Sequence, residues 1–307
     1  MKYLLTALIV INSISLLKSQ STMETLEQLS HSTIRINCIK EVKNDSGKII
    51  KFRSRGTGFF YELRVGDKIH DVLVTNKHVI KNAVEGELVF TLKGEDGKPV
   101  YSEQRTFKVK NFKNDFLMHP DPNVDLCIMP MGKILTGLKL NKLKAFYLKV
   151  PESFLPEKDA WDKLIQGNEV IMVGYPKGLI DEANNAPIMR SGITSTAPRL
   201  NYRGKEEFLI DMPVYKGSSG SPVFIKNPKV KTEKIEKGTR IRNYFDYKLI
   251  GIVYATPVYK LTDGSTKIEI LPIEEMETKT KSEIKLPMNL GVVIKSHQLE
   301  VFKSMIK

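Results

Sequence analysis

From about residue 32 onward, apolar positions come in short runs, each closed by turn residues. The runs are Thr33–Ile39, Gly58–Leu63, Asp71–Thr75, Glu87–Leu92, Asp125–Pro130, Glu169–Gly174, Glu207–Met212, Ser221–Ile225, Lys248–Tyr254 and Leu290–Ile294. Most are strand length, and several are rich in Val, Ile, Phe and Tyr, the residues that suit a pleated, half-buried surface. Long amphipathic helical periodicity is scarce. Many short strands without intervening helices predict an all-β sandwich or barrel.

Three stretches depart from this rhythm. Residues 131–166 hold Pro151, Pro156, many lysines and the only tryptophan, Trp161, and read as a connection between two β halves. Lys226–Tyr247 reads as a charged hairpin projecting into solvent. Leu261–Leu286 mixes Glu with Lys and reads as a surface insertion. The last dozen residues begin with a Ser N-cap signal at Ser296 and place Leu299, Phe302 and Ile306 at helical spacing, which predicts a terminal helix. The organisation expected is a first unit over 20–140, a connection over 141–166 and a second unit over 167–307.

A chain of 307 residues with 41% hydrophobic and 27% charged positions can bury a substantial core. The formal charge of +13 would suit nucleic acid or an anionic surface. Its lysines are spread along the chain, however, and no nucleic-acid module is recognisable, so a solvated basic surface is expected and no nucleic-acid partner. At the N-terminus, Met1-Lys2-Tyr3 precedes an apolar stretch from Leu4 to Leu17, broken by Asn12, Ser13 and Ser15. That stretch is too short to span a bilayer comfortably, and small residues follow near Ser19 to Ser21, as in a secretory signal peptide over residues 1–19. The alternative is an uncleaved membrane anchor over 4–17. Cys38 and Cys127 both sit in apolar runs and fit no metal spacing. Buried free thiols are the plainer reading, and one disulfide the other. No metal and no cofactor is expected.

The richest local signal is Gly217-Ser218-Ser219-Gly220-Ser221-Pro222, followed by the apolar run Val223-Phe224-Ile225. A tight turn of this kind can expose a hydroxyl and aim backbone N–H groups at one point, which acyl transfer needs at a nucleophilic serine. By itself it is more commonly a Gly/Ser turn without chemistry. Of the five histidines, His31, His70, His119 and His297 fit surface or turn roles. His78 follows Val72-Leu73-Val74 and a short turn, where apolar neighbours can hold a rigid base. Asp125 opens a buried strand, where a carboxylate needs a partner.

The order His78, Asp125, Ser219 resembles that of the chymotrypsin-like (trypsin-like) serine protease superfamily. Thr75-Asn76-Lys77-His78-Val79 resembles its histidine motif, Asn123-Val124-Asp125-Leu126-Cys127-Ile128 its aspartate motif, and Gly217–Pro222 its serine motif. Gly56–Phe60, Val170–Pro176 and Leu249–Tyr254 are similar to three of its strands. The resemblance implies two antiparallel β-barrels with the active site in the cleft between them, His78 and Asp125 on the first and Ser219 on the second, with a short C-terminal helix. It also implies the superfamily's own roles: Ser219 as nucleophile, His78 as base, Asp125 as its orienter, and the N–H groups of Gly217 and Ser219 as the oxyanion hole. The implied activity is that of a secreted serine endopeptidase acting on protein or peptide substrates through an acyl-enzyme. The two other readings are a catalytically silent protease-fold binding or scaffold module, and an α/β-hydrolase-type esterase using Ser219, Asp246 and His297. The second of these needs helices that the pattern does not supply.

Pro213 falls where trypsin-type members carry the aspartate that reads Arg or Lys, and Val253 where glutamyl endopeptidases carry a histidine. A small or apolar P1 side chain is therefore expected, with Tyr254, Ala255 and Thr256 lining the cleft. Val79 stands in place of a cysteine. Ser218 stands where digestive members carry the aspartate that pairs with a newly cut N-terminus, and the early chain lacks an Ile-Val-Gly-Gly start. Activity should therefore not depend on that ion pair. Acetylating the N-terminus of the mature chain is expected to leave peptide hydrolysis within about twofold of the unmodified protein. Loss of most of the rate would show that a free amine is required.

Overall fold

The computed structural model describes residues 25–44, 46–177, 179–235, 238–262, 265–276 and 284–306. The signal peptide and anchor readings lie outside the described residues, among which no helix is long and apolar enough to cross a membrane.

The described strands form two antiparallel sheets. The first contains β1 (Thr33–Lys43), β2 (Ile49–Val65), β3 (Lys68–Thr75), β4 (Ala83–Lys93), β5 (Pro99–Lys110), β6 (Leu117–Met118), β7 (Cys127–Pro130) and β8 (Ala145–Phe146). The second contains β9 (Glu169–Gly174), β10 (Ile188–Thr194), β11 (Glu207–Asp211), β12 (Pro222–Ile235), β13 (Gly238–Thr262), β14 (Ser265–Pro272), β15 (Ile284–Pro287) and β16 (Leu290–Lys295). The first sheet runs β5-β4-β1-β2-β3-β7-β6, with β8 paired to β4. In the second, the path β12-β9-β10-β11-β16-β13 returns to its start because β12 also pairs with β13. The all-β expectation therefore holds, with two antiparallel sheets. It also removes the α/β-hydrolase reading, which needs a parallel sheet flanked by helices.

Three apolar clusters explain why so many strands read as unbroken apolar runs. One lies within the first sheet, one within the second, and one between them. Side chains alternate across a strand, so a strand between two clusters feeds both. On β3, Leu73 joins the first sheet's cluster while Val72 and Val74 join the shared one. On β9, Val170 and Met172 face the second sheet's cluster, and Ile171 and Val173 the shared one. On β16, Val293 faces inward and Val292 and Ile294 outward to the shared core. Strands buried on both faces lose the polar alternation of a half-solvated sheet.

The segments outside the rhythm resolve differently. Residues 132–140 form a helix whose Ile134 and Leu138, one turn apart, pack into the first sheet's cluster. Lys226–Tyr247 is a paired hairpin of β12 and β13 with exposed Val230 and Ile241. The C-terminal segment Ser296–Ser304 is a 3-10 helix, not an α-helix, and Ser296 supplies no cap. Its buried Leu299 and Phe302 are three apart, the repeat of a 3-10 turn, and both enter the shared core. Cys38 and Cys127 are free, buried thiols in the first sheet's cluster, and burial pushes the Cys38 thiol up to about 12.

Thr57, fully buried on β2, joins the two sheets. Its N–H donates to the Ser219 carbonyl (2.9 Å), and its Oγ1 donates to the Gly217 carbonyl (2.7 Å). The same Oγ1 accepts from the Tyr175 N–H (2.9 Å). Thr57→Val keeps the side-chain shape but strands the Gly217 carbonyl and the Tyr175 N–H. Denaturant unfolding is expected to register a loss of about 1–3 kcal/mol for each buried group left unpaired. No change in midpoint would mean that the hydroxyl does not hold the sheets together.

Candidate active site

His78 lies in the four-residue helical turn Lys77–Ile80 that follows β3. The next two residues, Val79 and Ile80, are anchored in the first sheet's cluster. Val79 also packs against the bare backbone of Gly56, where a Cβ would stand 2.5 Å from a Val79 methyl. The buried Lys40 ammonium donates to the His78 carbonyl (2.9 Å). Asp125 closes the turn between β6 and β7, just before the fully buried Leu126, and Asn76 Nδ2 donates to its carbonyl (2.7 Å). The two side chains meet twice. The His78 N–H donates to Asp125 Oδ1 (3.0 Å), and His78 Nδ1 is hydrogen-bonded to Asp125 Oδ2. Position and tilt of the ring are thus set by one carboxylate.

Ser219 lies in the turn between β11 and β12. Gly217 (φ +92°) and Gly220 (φ +87°) bracket it in the left-handed region that favours glycine. Neither position has room for a side chain. A Cβ at Gly220 would lie 2.0 Å from the Thr57 carbonyl oxygen, and one at Gly217 would lie 2.4 Å from that of Tyr175. Ser218 is buried and closes the turn, its N–H donating to the Tyr215 carbonyl (2.8 Å). Among the described residues, neither the Gly217 nor the Ser219 N–H donates to a backbone carbonyl.

The meeting point of Ser219 and His78 is a residue that sequence reasoning missed. Ser219 Oγ donates to Glu274 Oε2 (2.9 Å), and His78 Nε2 is in ion-pair contact with the same oxygen. Glu274 belongs to the 3-10 turn Ile273–Met276 that follows β14. Leu261–Leu286, expected to be a surface insertion, therefore reaches the centre of the site. Its Glu/Lys mixture looks like a solvated face, and only the fully buried Ile273 ahead of the glutamate reveals otherwise. Ile273 packs in the second sheet's cluster with Met212, Val214 and Val253. Complete burial of such a side chain contributes about 1.5–3 kcal/mol.

The residues expected at the cleft sit as follows. Pro213 is half-buried beside Val214. Tyr254, Ala255 and Thr256 are all buried. The Tyr254 hydroxyl donates to Glu207 Oε1 (2.7 Å), and Thr256 Oγ1 donates to the Leu290 carbonyl (2.8 Å). Ala255 and Thr256 are opposite Pro272 and Leu271 of β14. His297 pairs with Glu206 (2.9 Å) and stands edge-on to Trp161. His119, expected at the surface or in a turn, lies in the loop after β6 and is buried, with its ring edge-on to Phe302.

Charge binds the centre together. Burial opposes charge on His78, but the Glu274 carboxylate and the Asp125 hydrogen bond outweigh it and push the imidazole up to about 10. Burial likewise acts to raise Glu274 and Asp125, yet His78 holds both below their ordinary values. A raised histidine stabilises fully below its ordinary 6.5 and progressively less as pH rises through about 10. A depressed glutamate stabilises above its ordinary 4.5, and that stabilisation is lost as pH falls through the lowered value. The stability difference between wild type and Glu274→Gln should therefore be greatest between about pH 4.5 and 6.5 and shrink towards pH 10. Urea unfolding across this range measures it. A difference independent of pH would show that the carboxylate and imidazole are not coupled.

Comparison with known proteins bears on the same region. The solved structures include a similar one, the apo crystal structure of the MamO protease domain from Magnetospirillum magneticum. It is 12% identical, with a TM-score of 0.37, over 80% of this chain and 94% of that domain. None of the curated proteins matches. The trypsin-like peptidase domain matches residues 56–230, which takes in His78, Asp125 and Ser219 and more than half of the chain. The chain belongs to the trypsin-like peptidase domain family.

Proposed function

We propose that the protein is a secreted serine endopeptidase that hydrolyses protein or peptide substrates through an acyl-enzyme. One observation carries the reading: a single carboxylate oxygen touches both Ser219 Oγ and His78 Nε2, so the hydroxyl and the imidazole converge on one point. With Glu274 withdrawn, His78 Nε2 takes the Ser219 proton as Oγ attacks the scissile carbonyl. His78 then returns the proton to the leaving amine, and water repeats the sequence on the ester. Asp125 holds the ring with its Nδ1 proton inward and stabilises the imidazolium. The Gly217 and Ser219 N–H groups, which no backbone carbonyl claims among the described residues, are the donors for the developing oxyanion. No cofactor enters the scheme. Export rests on the basic start and short apolar stretch of residues 1–19.

The surroundings favour a small or apolar P1 side chain. Met212, Val214 and Val253 are apolar and buried, and Pro213 and Val253 carry no charge themselves. A second reading has a specific observation behind it: Glu274 Oε2 contacts both Ser219 Oγ and His78 Nε2, as in a silent binding module whose site is closed.

A fluorophosphonate probe separates the two. The endopeptidase reading expects labelling at Ser219, abolished in Ser219→Ala and slowed at least about 10³-fold in His78→Ala. Labelling that survives His78→Ala undiminished would remove the histidine from the mechanism. A folded protein that never labels, with or without Glu274, would be the silent module.

A further inference from the structure

We infer that Leu271–Glu274 is an internal occupant of the catalytic site, and that the protein rests in a latent form from which this segment must withdraw before a substrate can react. The inference rests on the reading of Ser219 and His78 as nucleophile and base, and adds a regulatory state to it.

Three independent contacts place the segment. The first is backbone pairing. Strand β14 runs antiparallel to β13 until Leu271 lies opposite Thr256 and Pro272 opposite Ala255, so that stretch of strand edge is already taken. An extended peptide can add there only after β14 leaves. The second is apolar. Ile273 is completely buried in the second sheet's cluster, which also holds Val214, just before the serine turn, and Val253, whose carbonyl accepts from the Gly220 N–H. The third is polar. Glu274 Oε2 receives the Ser219 hydroxyl proton at 2.9 Å and faces His78 Nε2.

The third contact disables the chemistry directly. A base must have a ring nitrogen free to receive a proton. Here Nδ1 is bonded to Asp125 and Nε2 faces Glu274, so both nitrogens are turned to carboxylates. An imidazole between two carboxylates is held as the imidazolium, which cannot take the serine proton. The serine hydroxyl meanwhile points at Glu274. Asp125 and Lys40 complete the charged surroundings of the ring: the first balances the imidazolium, and the second is tied to the His78 carbonyl. The segment thus resembles a bound peptide acid, with an aliphatic side chain in the apolar cluster followed by a carboxylate at the reacting groups. Its attachment to β13 keeps its local concentration high without a covalent bond to the serine.

The test compares fluorophosphonate labelling rates of the full chain in wild type, Glu274→Ala, Glu274→Gln and Ile273→Ala, with Ser219→Ala as the blank. Latency expects Glu274→Ala to label at least about tenfold faster than wild type, and Ile273→Ala, which loosens the anchor, to label faster as well. Equal rates in wild type and Glu274→Ala would overturn latency while leaving the endopeptidase reading standing. No labelling in any variant, although each unfolds cooperatively, would overturn that reading itself. Should Glu274→Ala fail to fold, Glu274→Gln decides. It keeps the shape and the acceptor for Ser219 but removes the charge facing His78, so an unchanged rate counts against latency.

Discussion

The site depends on Thr57, a hydroxyl buried between two sheets. Ser219 comes from the second sheet and His78 from the first, and each sheet has an apolar cluster of its own beside the one the two share. The shared core brings the sheets together, and the bonds from Thr57 to the Gly217 and Ser219 carbonyls and from Tyr175 back to Thr57 tie the serine turn to the first sheet. Thr75, three residues before His78, donates in turn to the Thr57 carbonyl (2.7 Å). One buried residue thus ties the strand that delivers the histidine to the turn that delivers the serine. The bare backbone at Gly220, against that same carbonyl, is what allows so close an approach. Directional bonds in a dry interior suit this purpose better than apolar packing, because packing tolerates small slides and a reacting geometry does not.

Electrostatics then binds His78 to two carboxylates. Asp125 is bound to its strand turn and to the His78 backbone as well as to the ring, so its place is fixed. Glu274 arrives from a separate segment, and its hold on the site comes from one ion-pair contact, one hydrogen bond and the burial of its neighbour Ile273. The two carboxylates therefore reach the ring by different routes, one from the strand turn of the first sheet and one from the segment after β14. Both lower the cost of a charged imidazole.

Much of this was legible along the chain. The all-β architecture followed from the strand-length runs, and the Lys226–Tyr247 hairpin from its charge and flanking apolar runs. The family followed from the order of His78, Asp125 and Ser219 within motifs. Three things were not legible. Residues 132–140 form a helix whose apolar contacts, Ile134 and Leu138, are too few to stand out among lysines. The terminal helix is 3-10, since packing of Leu299 and Phe302 into the shared core overrides the preference for an α-turn. Glu274 was hidden in a Glu/Lys-mixed insertion of a kind that ordinarily lies in solvent.

What the sequence determined by itself is local: strand periodicity, the turn glycines at 217 and 220, and the chemical identity of the three residues in family order. Local signals suffice there because alternation, φ preference and side-chain chemistry are properties of a few neighbouring residues. Tertiary structure alone decided which groups share a point in space. Glu274 lies 55 residues from Ser219 and farther still from His78. It meets them because β14 is carried to the site along β13 and Ile273 finds the second sheet's core. Such a meeting depends on the summed path of many strands and on burial at a distant position, and no pattern within the insertion encodes it.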